Sequence, residues 1–216
     1  MSDTLILLME WIGTVAFAVS GALVAITGGL DLFGVIIVGC ITSVGGGILR
    51  DVLMGQFPPG IFSNVPMLAL AALTSVLVFV FSHRKRNSFE DFKRRLEVIN
   101  NYFDAVGLAV FTVIGVEKAV AAGFGDKFVF AVCMGLLTGV GGGVLRDVLV
   151  DQTPYILKKH VYAVASVAGA CVYYFGRIYF EPVAIFVSVV GIILTRLLAT
   201  KYRWKLPKIQ TDIKEE

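Results

Sequence analysis

The sequence predicts an all-α, polytopic membrane protein with seven transmembrane helices, arranged as two inverted three-helix repeats plus a seventh helix. Three observations carry that prediction. Hydrophobic residues make up 57% of the 216 residues, and the mean hydropathy is +0.83. They gather into runs near the roughly 20 residues that a helix needs to cross a bilayer. A motif running from Thr42 to Leu53 also returns from Thr138 to Leu149, and duplication at a fixed spacing marks a repeated structural unit. Seven crossings with short loops use nearly all of the chain, so 1–216 reads as a single membrane domain.

In chain order the spans fall near Leu5 to Ile26, Leu32 to Leu53, Val65 to Phe81, Tyr102 to Phe124, Phe128 to Val150, Val161 to Phe175 and Pro182 to Thr200. The first is a retained helix, not a cleaved leader. Met1-Ser2-Asp3 puts no positive charge ahead of it, Glu10 interrupts its early part, and it matches the fourth span. The second and fifth spans carry the duplicated motif, and the third and sixth close each unit. Repeat one therefore occupies 5–82 and repeat two 99–175, with the seventh helix at 182–200 and a polar cytoplasmic tail at 201–216.

Basic loops set the direction. Arg84, Lys85, Arg86, Lys93, Arg94 and Arg95 lie between spans three and four, Lys158 and Lys159 between five and six, and Lys201, Arg203, Lys205 and Lys208 after seven. By parity these three segments share one side, and basic loops face the cytoplasm. The amino terminus then faces outward and the carboxyl terminus lies inside.

The repeat can be followed residue by residue. Thr42-Ser-Val-Gly-Gly-Gly-Ile-Leu-Arg-Asp-Val-Leu53 returns as Thr138-Gly-Val-Gly-Gly-Gly-Val-Leu-Arg-Asp-Val-Leu149, and the same shift aligns Gly39 with Gly135, Gln56 with Gln152, Pro58 with Pro154 and Val65 with Val161. A slightly shorter shift pairs Glu10 with Asp104, Gly13 with Gly107, Phe17 with Phe111 and Gly21 with Gly115. Three spans per unit is an odd number, so the second copy enters the membrane from the opposite side. Inverted repeats commonly place a solute path near the midplane, where interrupted helices meet.

Gly45, Gly46 and Gly47, and again Gly141, Gly142 and Gly143, weaken their helices by about 1 kcal/mol each relative to alanine. A kink or break is expected there, and broken backbone must be buried in protein or line a wet cavity. The competing reading is close helix packing, since Gly135, Gly139 and Gly143, like Gly39, Ser43 and Gly47, form ladders of small residues. Arg50-Asp51 and Arg146-Asp147 follow the triplets inside apolar spans, where charges usually face a bundle interior or water. A charge snorkelling to the headgroups is the alternative. Adjacent residues do not face one another on a helix. The duplication therefore suggests crosswise pairs, Arg50 with Asp147 and Arg146 with Asp51. Glu117 and Lys118 have only Leu23 and Val24 as counterparts, so they make the halves unequal, either as pore-facing groups or as an interfacial ion pair. Glu10 and Asp104 stand near the starts of their spans, where carboxylates suit a helix amino end.

Several classes are excluded. Cys40, Cys133 and Cys171 are odd in number and sit in apolar runs, and His83 and His160 are isolated, so neither a disulfide framework nor a metal site is indicated. The net charge of +3 resides in loops beside spans and does not point to nucleic acid. No catalytic constellation, zinc signature or phosphate loop is present, which argues against an enzyme.

The paired Gly-Gly-Gly-x-Leu-Arg-Asp-Val-Leu motifs at Gly45 to Leu53 and Gly141 to Leu149, with seven spans in inverted halves, resemble bacterial members of the trimeric intracellular cation (TRIC) channel family. The resemblance covers about residues 5 to 200. The same bacterial group is similar to proteins described as glycine transporters. The channel resemblance implies a homotrimer in the bacterial inner membrane, surrounded by lipid, with one pore per protomer and no cofactor. That pore would be bounded by spans one, two, four and five, kinked at the glycine triplets, and would carry monovalent cations, potassium or also sodium. In this reading Thr42, Ser43 and Thr138 join freed carbonyls in replacing ion hydration, while carboxylates hold Arg50 and Arg146. In the transporter reading, the same breaks bind a small zwitterion, its carboxylate at a helix amino end or arginine and its ammonium at carbonyls or Asp51 and Asp147.

Overall fold

A computed structural model describes residues 2–84, 89–158 and 161–204. Lys85, Arg86, Lys159, His160, Lys205, Lys208 and the rest of the tail lie outside the described residues, as do the side chains of Arg84, Lys93 and Lys158. The helices are α1 (Ser2–Thr27), α2 (Leu32–Leu53), α3 (Val65–Arg84), α4 (Phe89–Ala119), α5 (Phe128–Leu149), the single turn α6 (Tyr155–Lys158) and α7 (Val161–Lys201). A 3-10 turn at Gly60–Ser63 precedes α3, and a π turn at Val120–Phe124 continues α4. Among the described residues all regular structure is helical.

Local chemistry explains several boundaries. Asp31 caps α2, its carboxylate accepting the Gly34 amide at 2.8 Å, which satisfies one of the free donors of a first turn. Among the described residues six helices are long and apolar enough to cross a membrane. α7 has 41 residues, twice a crossing. Its backbone leaves helical geometry at Phe180 (φ −156°, ψ 96°), two residues before Pro182, a residue that cannot continue the hydrogen-bond ladder. The two halves then fold back on each other: Ser188 Oγ donates to the Gly169 carbonyl at 2.6 Å. α7 thus supplies the sixth and seventh crossings, as expected. α4 begins at Phe89, not near Tyr102. Its polar first turns stand outside any apolar window, so hydropathy could not show them.

At the centre, α1, α2, α4 and α5 pack with the two repeats inverted. A methyl group at Gly46 would overlap the Thr138 carbonyl oxygen, and one at Gly142 would overlap that of Thr42. The same reciprocity holds between α1 and α4, where Gly107 receives the Phe17 ring and Gly13 the Phe111 ring. Those two rings touch each other at 5.2 Å between centroids. In both helix pairs, contacts that rise along one chain segment fall along the other, so the pairs run antiparallel.

Of the kink or break expected at the triplets, no break of the helical ladder occurs. α2 stays α-helical from Leu32 to Leu53 and α5 from Phe128 to Leu149. Lipid-embedded backbone strongly favours an unbroken ladder, and the helix-weakening effect of the glycines is offset by the close backbone approach they permit.

Candidate functional site

The triplets divide by position. Gly45, Gly46, Gly141 and Gly142 form the crossing itself: a methyl at Gly45 would meet Leu145, and one at Gly141 would meet Leu49. Thr42 belongs with them; its hydroxyl donates to the Val38 carbonyl at 2.6 Å and packs under Gly21. Thr138 repeats that bond to Met134 at 2.6 Å. The third glycine of each triplet, Gly47 or Gly143, lies off the crossing, toward the charged end of its helix. The two ends differ from there.

At the α2 end an open cavity of about 240 Å³ enters between α1, α2, α3 and α4. Glu10, Ser43, Gly47, Arg50, Asp51, Lys118 and Thr138 are among its lining residues. Lys118 Nζ holds Glu10 Oε1 at 3.0 Å, with both side chains partly solvated. The carboxylate of Asp51 takes Arg50 Nη2 at 2.7 Å on one oxygen and the Gly60 amide at 2.9 Å on the other.

At the α5 end the corresponding groups are sealed. Arg146 is fully buried. Its Nε donates to Asp147 Oδ1 at 2.8 Å, and its Nη1 reaches Asp104 Oδ1 at 2.8 Å and the Ser20 hydroxyl. Asp147 also accepts the Tyr155 amide at 2.8 Å. On its other oxygen Asp104 meets Arg196 Nη2 at 3.5 Å, and the Arg196 guanidinium stacks on the Tyr162 ring at 4.4 Å. A smaller cavity of about 130 Å³ approaches from this side and stops at Asn100 and Tyr155. Tyr155 lies under Arg146 at 5.3 Å, and burial pushes its hydroxyl above the ordinary tyrosine range, with Arg146 acting the other way.

Three expectations need correction. The crosswise pairs do not form; each arginine pairs with the aspartate next to it. Side chains one residue apart do diverge, but an arginine is long enough to wrap a helix end, and the following loop amide fixes the aspartate where its other oxygen can meet it. Glu117 does not line the cavity with Lys118; it accepts from the Tyr173 hydroxyl at 2.7 Å. Asp104 is no helix-end carboxylate, since α4 starts 15 residues earlier at Phe89. Sequence reasoning also missed Arg196, a fully buried arginine inside the seventh apolar run. Its signal was present, because an ionisable residue within a span usually faces a polar interior. Tyr162, Asn100 and Ser20 carried no such signal. Among the described residues no cluster of metal-ligating side chains occurs.

Comparison with known proteins matches this architecture. A family model described as glycine transporter matches residues 7–84 and 101–177. The UPF0126 inner membrane protein YadS of Escherichia coli K12 is 39% identical over 207 residues, covering 94% of this chain and 96% of that protein. The UPF0126 membrane protein YvgT of Bacillus subtilis is 32% identical over 200 residues, covering 93% and 94%. Among solved structures, a prokaryotic TRIC channel in 0.5 M KCl superposes with a TM-score of 0.85 at 35% identity, over 94% of this chain and 100% of that one. The TRIC orthologue from Rhodobacter sphaeroides gives 0.83 at 30% identity, over 93% and 100%. These solved neighbours are channels, not enzymes.

Proposed function

Because this chain belongs to the bacterial TRIC family, whose sequence model carries the description glycine transporter, we propose that it is a monovalent cation channel with its pore inside each protomer. The observation that carries the reading is the cavity at the α2 end, which reaches Ser43, Gly47 and Thr138 beside the α2–α5 crossing. Its positive groups, Arg50 and Lys118, are each paired with a carboxylate, which removes much of their repulsion toward a cation. In this reading permeation continues past Gly143 once the Arg146 cluster parts, and the buried Arg146 network is the gate that must open. Potassium is the proposed principal ion. A homotrimer is supported by the Rhodobacter orthologue, which is described as trimeric. The bacterial inner membrane is supported by the designation of the Escherichia coli relative, with the amino terminus outside, the carboxyl terminus cytoplasmic, and repeats bounded at 5–82 and 99–175.

One observation favours a second reading. The cavity is lined by groups of both signs of charge, Glu10 and Asp51 with Arg50 and Lys118, which suits a zwitterion such as glycine as well as a cation. The two readings separate in a planar bilayer under a potassium chloride gradient, run beside glycine uptake into liposomes. Discrete current steps reversing near the potassium equilibrium potential support the channel. Saturable glycine uptake without such steps overturns it.

A further inference from the structure

The inverted repeat maps each contact at one end of the molecule onto a pair of positions at the other. Arg146 corresponds to Arg50, and Asp104 to Glu10. At the sealed end Asp104 stands between two cations and holds both, Arg146 at 2.8 Å and Arg196 at 3.5 Å. At the open end Glu10 also lines a cavity with two cations, Lys118 and Arg50, yet it holds only Lys118, at 3.0 Å. Among the described residues Arg50 bonds only to Asp51, through Nε and Nη2, which leaves its remaining nitrogen available.

We propose that Glu10 is the latch of the open end: by leaving Lys118 for Arg50 it makes an Arg50–Glu10 bridge equivalent to Arg146–Asp104 and closes the cavity. Glu10 is one methylene longer than Asp104, which suits a carboxylate that must span a wider opening. Lys118 has no counterpart in repeat one; it takes the place that Arg196, from outside both repeats, fills at the other end. In the open state Lys118 competes with Arg50 for the carboxylate and so holds the mouth ajar. Closure requires a shift of α1 against α2, the motion that the small-residue contact of Gly21 with Gly39 permits.

This inference rests on reading the cavity as the mouth of the permeation path, but its test reads solvent access and not transport. Val44 lines the cavity six residues before Arg50 on α2, beside the glycine triplet of the α2–α5 crossing. Val44→Cys, in a background with Cys40, Cys133 and Cys171 replaced by alanine, is labelled with a charged thiol reagent in lipid nanodiscs. Lys118→Met frees Glu10 for Arg50, and labelling should slow by about five-fold or more. Adding Glu10→Gln removes the latch, and labelling should return to the parent rate. Complete labelling of every variant in detergent denaturant controls for reagent and yield. Lys118→Met labelled as fast as the parent, or a double variant as slow as the single, overturns the proposal. Glu10→Gln alone provides an independent arm: labelling slower than the parent overturns it as well. Failure of ion conduction with this labelling pattern intact would sink the channel reading and leave the latch standing.

Discussion

The Arg50 and Arg146 ends grow from one duplicated motif, and what separates them is the company each keeps. Both arginines hold the next aspartate, and both aspartates hold a loop amide. Around Arg146 stand Asp104, Ser20, Tyr155, Tyr162 and Arg196. At the positions that correspond to Ser20 and Tyr162 the other end has Ile114 and Pro66, and an open cavity remains. The motif therefore sets a local geometry common to both ends, while solvation is decided by residues outside the motif. A sealed charge network and a wet one can be written in the same nine residues.

The largest effect that sharpens this comparison lies in the two corresponding carboxylates. Asp104→Ala strips a fully buried site of its anion and leaves Arg146 with Asp147 alone and Arg196 without a carboxylate. Breaking a buried ion pair by removing one partner costs about 3–5 kcal/mol. Glu10→Ala breaks a partly solvated pair, for which about 0–1 kcal/mol is the usual scale. Thermal unfolding of the two variants in the same detergent should separate them clearly. Equal losses would break the comparison, because the two ends would then be energetically alike.

Where the ends share packing, they should also share sensitivity. Gly46→Ala and Gly142→Ala each push a methyl into a backbone carbonyl, of Thr138 and Thr42 respectively. Backbone yields less readily than a flexible side chain, and overpacking of this kind costs about 1–3 kcal/mol. The two losses should agree closely. A variant tolerated at one position only would mean that the crossing is not symmetric and that the inverted relation ends before the triplets.

How much of this could be read in advance follows from which forces act locally. Spans were legible because burial in lipid demands continuous apolar runs, and the inverted halves because the motif is repeated almost letter for letter. The break of α7 near Phe180 was visible through Pro182 and the length of the apolar stretch. The triplets were ambiguous for a physical reason: glycine weakens an isolated helix but lets a partner helix approach, and only the partner decides which effect wins. Arg50 and Asp51 were mispaired because the neighbour rule describes where Cβ atoms point, not how far an arginine reaches at a helix end. Arg196 could have been found from its place inside an apolar run. The sealing of Arg146 could not, since it depends on α1, α4 and α7 meeting in space.

The smallest expected effect concerns Lys118, and it tests whether the asymmetry is one of stability or only of access. Its ion pair with Glu10 is exposed on the lysine side at 44%, so solvent screens most of the attraction, and Lys118→Met should change stability by about 0.2–1 kcal/mol. Arg196, which fills the matching place at the sealed end, has no solvent to replace Asp104, and Arg196→Met should cost measurably more. If both substitutions shift the melting temperature by the same small amount, the second cation at each carboxylate is dispensable for folding. The buried Arg146–Asp104 pair alone would then account for the greater stability of its end. If Arg196→Met is the costlier, the seventh crossing stabilises the seal directly, and the inequality of the two ends originates in the one crossing that the repeat does not contain.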